Sequence, residues 1–202
     1  MPYNSCTHMI ITYQGGNYFK IQSGDFAILI DPENQRSFRG THIVLNTVKP
    51  ALLETPESGE GVPIWIDNQG EYEVQGIRVQ GWSAGYDEKE KKERTVYRIL
   101  FDEMTIAVLG GLTTEPSTEL ISELADTDIA IIPAGGKPCL SQSAAAKMVR
   151  QLEPGIIIPS YANDPKPFFK ELGKMEIIKE EKLVVKKKDI EAKAMKVVWL
   201  QG

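Results

Sequence analysis

The stretch DIAIIPAGGKPCLSQSAAAKMVRQLEPGIIIPS, Asp128 to Ser160, changes its hydrophobic period twice. DIAIIP (128–133) is a continuous apolar run, the pattern of a buried strand. From Ser141 to Leu152 the apolar residues Ala145, Met148, Val149 and Leu152 recur at helical spacing, and the Ser141 hydroxyl can cap the helix start. GIIIPS (155–160) returns to a fully apolar strand. Strand, helix and strand in this order predict alternating β and α units for the C-terminal half.

Working outward, MTIAVLGG (104–111) is a strand ending in two glycines, and Glu115 to Leu124 reads as a helix with Leu120, Ile121 and Leu124 on one face. Downstream, DPKPFFKELGK predicts a helix with Asp164 as cap, Pro165 at its first position and Gly173 near its end. EKLVVKK and MKVVWLQ read as closing strands.

The first hundred residues read mostly as strands. HMIITYQ, NYFKIQS and DFAILIDP are separated by Gly15-Gly16 and Ser23-Gly24, the punctuation of tight hairpins. Asp31-Pro32 closes the third, because proline cannot continue a ladder and restricts the residue before it. THIVLNT and VPIWID follow as a fourth and a fifth strand. GIRVQGWSA (76–84) and ERTVYRILF (93–101) form a hairpin pair around the charged, solvated tip GYDEKEKKE. A β-rich half followed by β and α units predicts two packed sheets with helices outside, as one domain over residues 1–202.

Composition narrows the function classes. A net charge of −5 argues against non-specific nucleic-acid binding, which rests on phosphate neutralisation by Lys and Arg. No apolar run approaches the roughly 20 residues that span a bilayer. The N-terminal MPYNSCTHMIITYQGG lacks a basic and a cleavable apolar segment, so no secretory signal is expected. Cys6 and Cys139 show no framework spacing, which predicts free thiols and a cytoplasmic protein.

The carboxyl end of a buried strand is where an α/β protein usually places its chemistry. After the fourth strand the chain reads Val48-Lys49-Pro50-Ala51-Leu52-Leu53, with no histidine, carboxylate or thiol.

Four stretches together resemble one family. MIITYQGGNYFKIQSGDFAILIDP, GEYEVQGIRVQG (70–81), MTIAVLGGL and DIAIIPAGGKPCLSQSAAAKMVRQLEPGIIIPSY are similar, in this order, to segments of metallo-β-lactamase-fold hydrolases, in particular the ascorbate-phosphate lactonase branch. The resemblance implies an α/β fold of four layers, an αββα sandwich. It also implies a His-x-His-x-Asp-His loop after the fourth strand and later His and Asp residues, holding zinc or manganese for hydrolysis. Those positions fall here on Val48, Pro50, Leu52 and Leu53, on Val108 and Gly111, on Ser160 or Tyr161, on Tyr86 beside Asp87, and on Gly16. Aliphatic side chains and glycine have no lone pair to offer, whereas zinc takes three or four N, O or S ligands.

Other candidates are scattered. Cys6-x-His8 could begin a metal site, but a second pair is absent; His42 begins the fourth strand and is expected to be structural. Cys139 as a nucleophile would need a basic partner. Gly135, Gly136, Lys137 and Ser141 could form an anion-binding turn before a helix, although Ile131 stands where a P-loop has its first glycine. Asp31, Glu71, Glu73 and Asp87 could gather as carboxylates around a hard cation. Trp65 and Trp82 read as core.

The resulting expectation is a family member with its metal motif lost and no cofactor, binding a small molecule or protein partner in a pocket lined by Val48, Leu52, Tyr86 and Tyr161. No nucleic-acid or membrane partner is expected, and family analogy suggests a homo-oligomer. The alternatives are a zinc- or manganese-dependent hydrolase rebuilt on Asp31, Glu71, Asp87 and His42, and phosphate or nucleotide binding at the Gly135-Gly136 loop.

Overall fold

Strict alternation in the N-terminal segments, such as the buried Phe19, Ile21 and Ser23 against the half-exposed Lys20 and Gln22, lays down strands with one face on a core. The computed structural model describes residues 8–57, 59, 61–173 and 178–202. Its first sheet is built from β1 (Met9–Tyr13), β2 (Phe19–Ser23), β3 (Phe26–Ile30), β4 (Ile43–Leu45) and, beyond the short β5 (Val48–Lys49), β6 (Ile64–Ile66). The second begins with β7 (Gly70–Val74), β8 (Ile77–Asp87), β9 (Lys92–Phe101) and β10 (Met104–Val108). There follow α1 (Thr118–Glu123), β11 (Ile129–Pro133), α2 (Gln142–Leu152), β12 (Ile156–Ser160), α3 (Lys166–Leu172), β13 (Ile178–Glu180), β14 (Lys182–Val185) and β15 (Lys196–Leu200).

Spatial order in the six-stranded sheet is β14-β1-β2-β3-β4-β6, and in the larger one β13-β15-β12-β11-β10-β9-β8-β7, with β5 paired to β9. The change of hydrophobic period at Gly111 marks a change of pairing. β7 to β10 pair antiparallel, whereas β10, β11, β12 and β15 run parallel, linked through α1, α2 and α3. β3, β4 and β6 also run parallel. Parallel neighbours carry the same end in common, so the loops after β3, β4, β10, β11 and β12 collect at one edge of the sandwich.

Between the sheets lies a core of branched side chains, with Ile11, Ile21, Ile28 and Leu45 facing Val79, Ile99, Ile106 and Ile131, all fully buried. A second core joins the outer face of the larger sheet to the helices, where Ala107, Ala130 and Ile157 meet Ala145, Val149 and Phe168. Strands buried on both faces need apolar residues at every position, which accounts for the unbroken runs at Ile129–Pro133 and Ile156–Ser160. Tyr18, Leu29 and Val44 cover the outer face of the smaller sheet together with Phe38 and Trp65. The α/β sandwich is the architecture expected.

Several boundaries depart from expectation for local reasons. α1 starts at Thr118 rather than Glu115, because Pro116 biases Glu115 away from helical dihedrals and Ser117 becomes the cap, accepting from Leu120 N–H. α2 begins after Ser141, whose side chain accepts from Ala144 N–H. In α3 Pro165 stands before the first helical residue, and Asp164 Oδ1 accepts from Lys166 N–H at 3.1 Å. β7, with its exposed Glu71 and Glu73, was not legible as a strand; it forms because it pairs residue for residue with β8. The charged hairpin tip is shorter than expected, since β8 runs through a bulge between Ser83 and Tyr86 to Asp87.

Candidate functional site

The loops gathered at the parallel strand ends enclose a cleft of about 660 Å³. Its walls come from the segment after β4, from Gly111 after β10, from the loop between β11 and α2, from Tyr161 after β12, and from the β8–β9 hairpin. Val48, Pro50, Leu52, Gly111 and Tyr161 all line it. Tyr86, expected among them, is 52% exposed on the hairpin and faces a neighbouring depression, because the bulge before it turns the strand outward. Leu53 is partly buried outside the lining, and the Gly16 carbonyl oxygen accepts from Tyr161 N–H at 2.7 Å.

At the base stands Asp31, held at φ 42 with its backbone N–H on Leu45 O. Its carboxylate accepts from Asn17 Nδ2 at 2.6 Å, from Thr47 N–H at 2.6 Å and from the Thr47 hydroxyl. Gly110 makes this clamp possible, since a Cβ there would lie 2.3 Å from Thr47 Oγ1. Burial raises the Asp31 pKa to about 6 against the pull of these donors.

Arg94 is the central cation. Its side chain is 10% exposed; Nη1 donates to Gly111 O at 2.6 Å and Nη2 lies 3.7 Å from Asp87 Oδ2. A Cβ at residue 111 would come 3.3 Å from Arg94 Nη1, 3.2 Å from Val48 Cγ2 and 3.5 Å from Tyr161 Oη, so glycine there admits the guanidinium. Asp87 itself serves the hairpin turn: Oδ1 accepts from Lys89 and Glu90 N–H, and these bonds, with Arg94, hold its carboxyl below the usual range. Burial pushes the Cys139 thiol up while Arg94 pulls it down. Burial, then the charge of Asp31, raises Tyr161.

The structure brings Asp31 and Asp87 to this cleft and leaves their two supposed companions elsewhere. Glu71 pairs across the ladder with Gln80 and lines a separate groove beside Arg78 and Arg98, because β7 lies at the far edge of its sheet. His42 lies at the start of β4, a strand length from the cleft, with its ring 4.7 Å from that of Phe26 and Nδ1 3.4 Å from Ala27 N. A site rebuilt on all four residues is therefore not assembled. Cys6 lies outside the described residues, and His8 is exposed. Gly136 and Lys137 line the cleft, whereas Ser141 Oγ caps α2. Gly135 has a packing reason: a Cβ there would sit 1.8 Å from Tyr161 O. Trp65 packs on Phe38 and Trp82 on the helix-side core, as expected. Arg94 escaped the sequence reading because an arginine in a strand reads as a solvated residue; its meaning comes from pairing with Val48, a long-range contact.

The donor set fits poorly with a metal ion. Both Asp31 oxygens are engaged and Asp87 is committed to its turn; among the described residues no group of three or more His, Cys, Asp and Glu comes together to hold one. No helix among the described residues is long and apolar enough to cross a membrane.

Comparison with known proteins supplies the lineage. The family model for the beta-lactamase superfamily domain matches residues 10–161. A Thermococcus onnurineus protein named UPF0173 metal-dependent hydrolase is 30% identical over 135 residues, covering 60% of this chain and 60% of the relative; its Pyrococcus abyssi namesake is 30% identical over 129 residues, covering 58% and 57%. The match thus spans less than two thirds of these relatives' length. A Thermotoga maritima structure of the metallo-β-lactamase superfamily superimposes with a TM-score of 0.74 at 19% identity, covering 95% of this chain and 98% of that one, a likeness of fold. The relatives' names point to a metal cofactor and overturn the expectation of a protein that takes none. With three quarters of its length matched by the family model, the chain belongs to the metallo-β-lactamase-fold superfamily.

Proposed function

We propose that this chain is a binding member of its superfamily, taking a small molecule in the cleft at the strand ends without hydrolysing it. The observation that carries the reading is the character of the cleft walls. Val48, Pro50, Leu52, Gly111 and Tyr161, which stand where the family resemblance puts ligands and catalytic groups, line the cavity as apolar or hydroxyl surfaces. A cavity of about 660 Å³ suits a small organic molecule. Tyr161 cannot serve as a base near neutral pH, because its phenol is raised, and the Cys139 thiol is raised as well. A cytoplasmic setting and self-association accompany this reading; light scattering on the purified protein tests the latter.

The test is a substrate panel of carboxylic esters, lactones and phosphodiesters, assayed with zinc or manganese added in turn, beside thermal-shift screening of the same compounds. Saturable stabilisation without turnover supports a binding protein. Turnover that saturates with substrate and falls on Asp31→Asn and Asp87→Asn would establish the second reading, a metal-dependent hydrolase, which the names of the relatives favour.

A further inference from the structure

Charge in the cleft runs opposite to charge on the whole chain. The protein carries a net −5, yet the cationic residues Lys89, Lys92, Arg94 and Lys137 line the cleft against the acidic Asp31, Asp87 and Glu90. The acids are already committed. Asp31 is held by Thr47 and Asn17, Asp87 by the hairpin N–H groups, and Glu90 lies 3.7 Å from Lys92. Among the described residues Lys89 and Lys137 enter no salt bridge.

Arg94 concentrates the imbalance. A guanidinium has five N–H donors, and a buried charge requires partners. Here one firm bond, to Gly111 O, is made; Nε has no partner among the described residues, and Asp87 at 3.7 Å lies beyond hydrogen-bond range. The same cleft offers apolar surface in Val48, Pro50 and Pro138, and Leu52 stands at its lip 77% exposed. Gly111 keeps open the space that the guanidinium fills.

We infer that the cleft holds a small organic oxyanion, a carboxylate or phosphate carried on an apolar body, with Arg94 as its anchor and Lys89 and Lys137 at its rim. The inference rests on the reading of the cleft as a ligand site and adds the chemical class of the ligand. An oxyanion completes the donor capacity of the guanidinium and neutralises its charge, while the apolar body covers Val48, Pro138 and Leu52.

Cys139, which lines the cleft within reach of the Arg94 field, supplies an internal reporter. In a Cys6→Ser background, the rates of alkylation by iodoacetate and by neutral iodoacetamide are measured on the folded and on the urea-denatured protein. Their ratio cancels any change in thiol pKa, which acts on both reagents alike. The expected ratio is several-fold higher in the folded protein, although a net charge of −5 alone would lower it. Arg94→Gln should return it to the denatured value, and Lys89→Gln combined with Lys137→Gln, both at exposed positions, should lower it without affecting folding. Protection of Cys139 from iodoacetamide is then titrated with benzoate, phenyl phosphate and neutral benzamide. Protection by either anion, absent with benzamide and lost in Arg94→Gln, supports the inference, and the stronger anion separates carboxylate from phosphate. Equal protection by benzamide would leave the cleft a ligand site and overturn the anionic class. A denatured-like ratio with protection by none of the three would overturn both.

Discussion

Replacing Asp31 by asparagine tests the physics at the base of the cleft. In the folded protein burial lifts this carboxyl from its ordinary 3.8 to about 6 despite three donated hydrogen bonds. A group whose pKa is higher folded than unfolded stabilises the fold when protonated, so its contribution is complete below about pH 4 and is lost as pH rises through 6. A difference of roughly two units corresponds to about 3 kcal/mol, and solvent at the cleft reduces this to about 2 kcal/mol. For a chain of this size 2 kcal/mol moves the melting temperature by roughly 4–8 °C. Asparagine cannot titrate, and it suits the left-handed backbone at φ 42 better than most residues, which adds an offset independent of pH. The assay is therefore the difference between wild-type and Asp31→Asn melting temperatures, followed from pH 4 to pH 7.5. Wild type should lose 4–8 °C relative to the variant as pH rises across that window. Parallel curves would refute the reasoning, showing that the three donors outweigh burial and keep the carboxylate ionised. A wild-type advantage that grows as pH rises would reverse its sign.

Gly110→Ala should destabilise by about 2–4 kcal/mol, combining the positive φ of 46 with displacement of Thr47, and should also flatten the pH dependence assigned to Asp31; chemical denaturation at two pH values reads both. Tyr97→Phe removes the fully buried hydroxyl shared by Asn46 O at 3.0 Å and Ile66 O at 3.2 Å, and should cost about 1–3 kcal/mol in urea unfolding with the fold intact; Ile66 O keeps the Asn46 N–H, which favours the lower figure. Gly135→Ala drives a methyl into Tyr161 O and should loosen the loop before α2, seen as faster alkylation of Cys139 at unchanged secondary structure. Ile131→Ala, in the core between the sheets, should cost about 2–5 kcal/mol, a control for loss that leaves the cleft alone.

How far the sequence carried differs sharply between scaffold and site. The unbroken apolar runs at 128–133 and 155–160 and the helical spacing from Ser141 to Leu152 determined the α/β character, because burial on both faces and a period of 3.6 leave direct marks in the chain. The loop Val48 to Leu53 declared its lack of ligand side chains in the same direct way. β7 hid behind its two exposed glutamates, since its partner is what makes it a strand.

The site needed the third dimension. Glu71 and His42 were candidate companions for Asp31; the sheet order puts Glu71 at a far edge, and the parallel pairing of β3 with β4 leaves His42 at the opposite strand end. Arg94 gained its role from the pairing of β9 with β5 and from the missing Cβ at Gly111, contacts between segments far apart in the chain. Local patterns record how each segment meets water and the core, which is a property of neighbours along the chain. The placing of a charge against a backbone carbonyl, and of a carboxyl in a clamp of donors, depends on which segments meet, and only folding decides that.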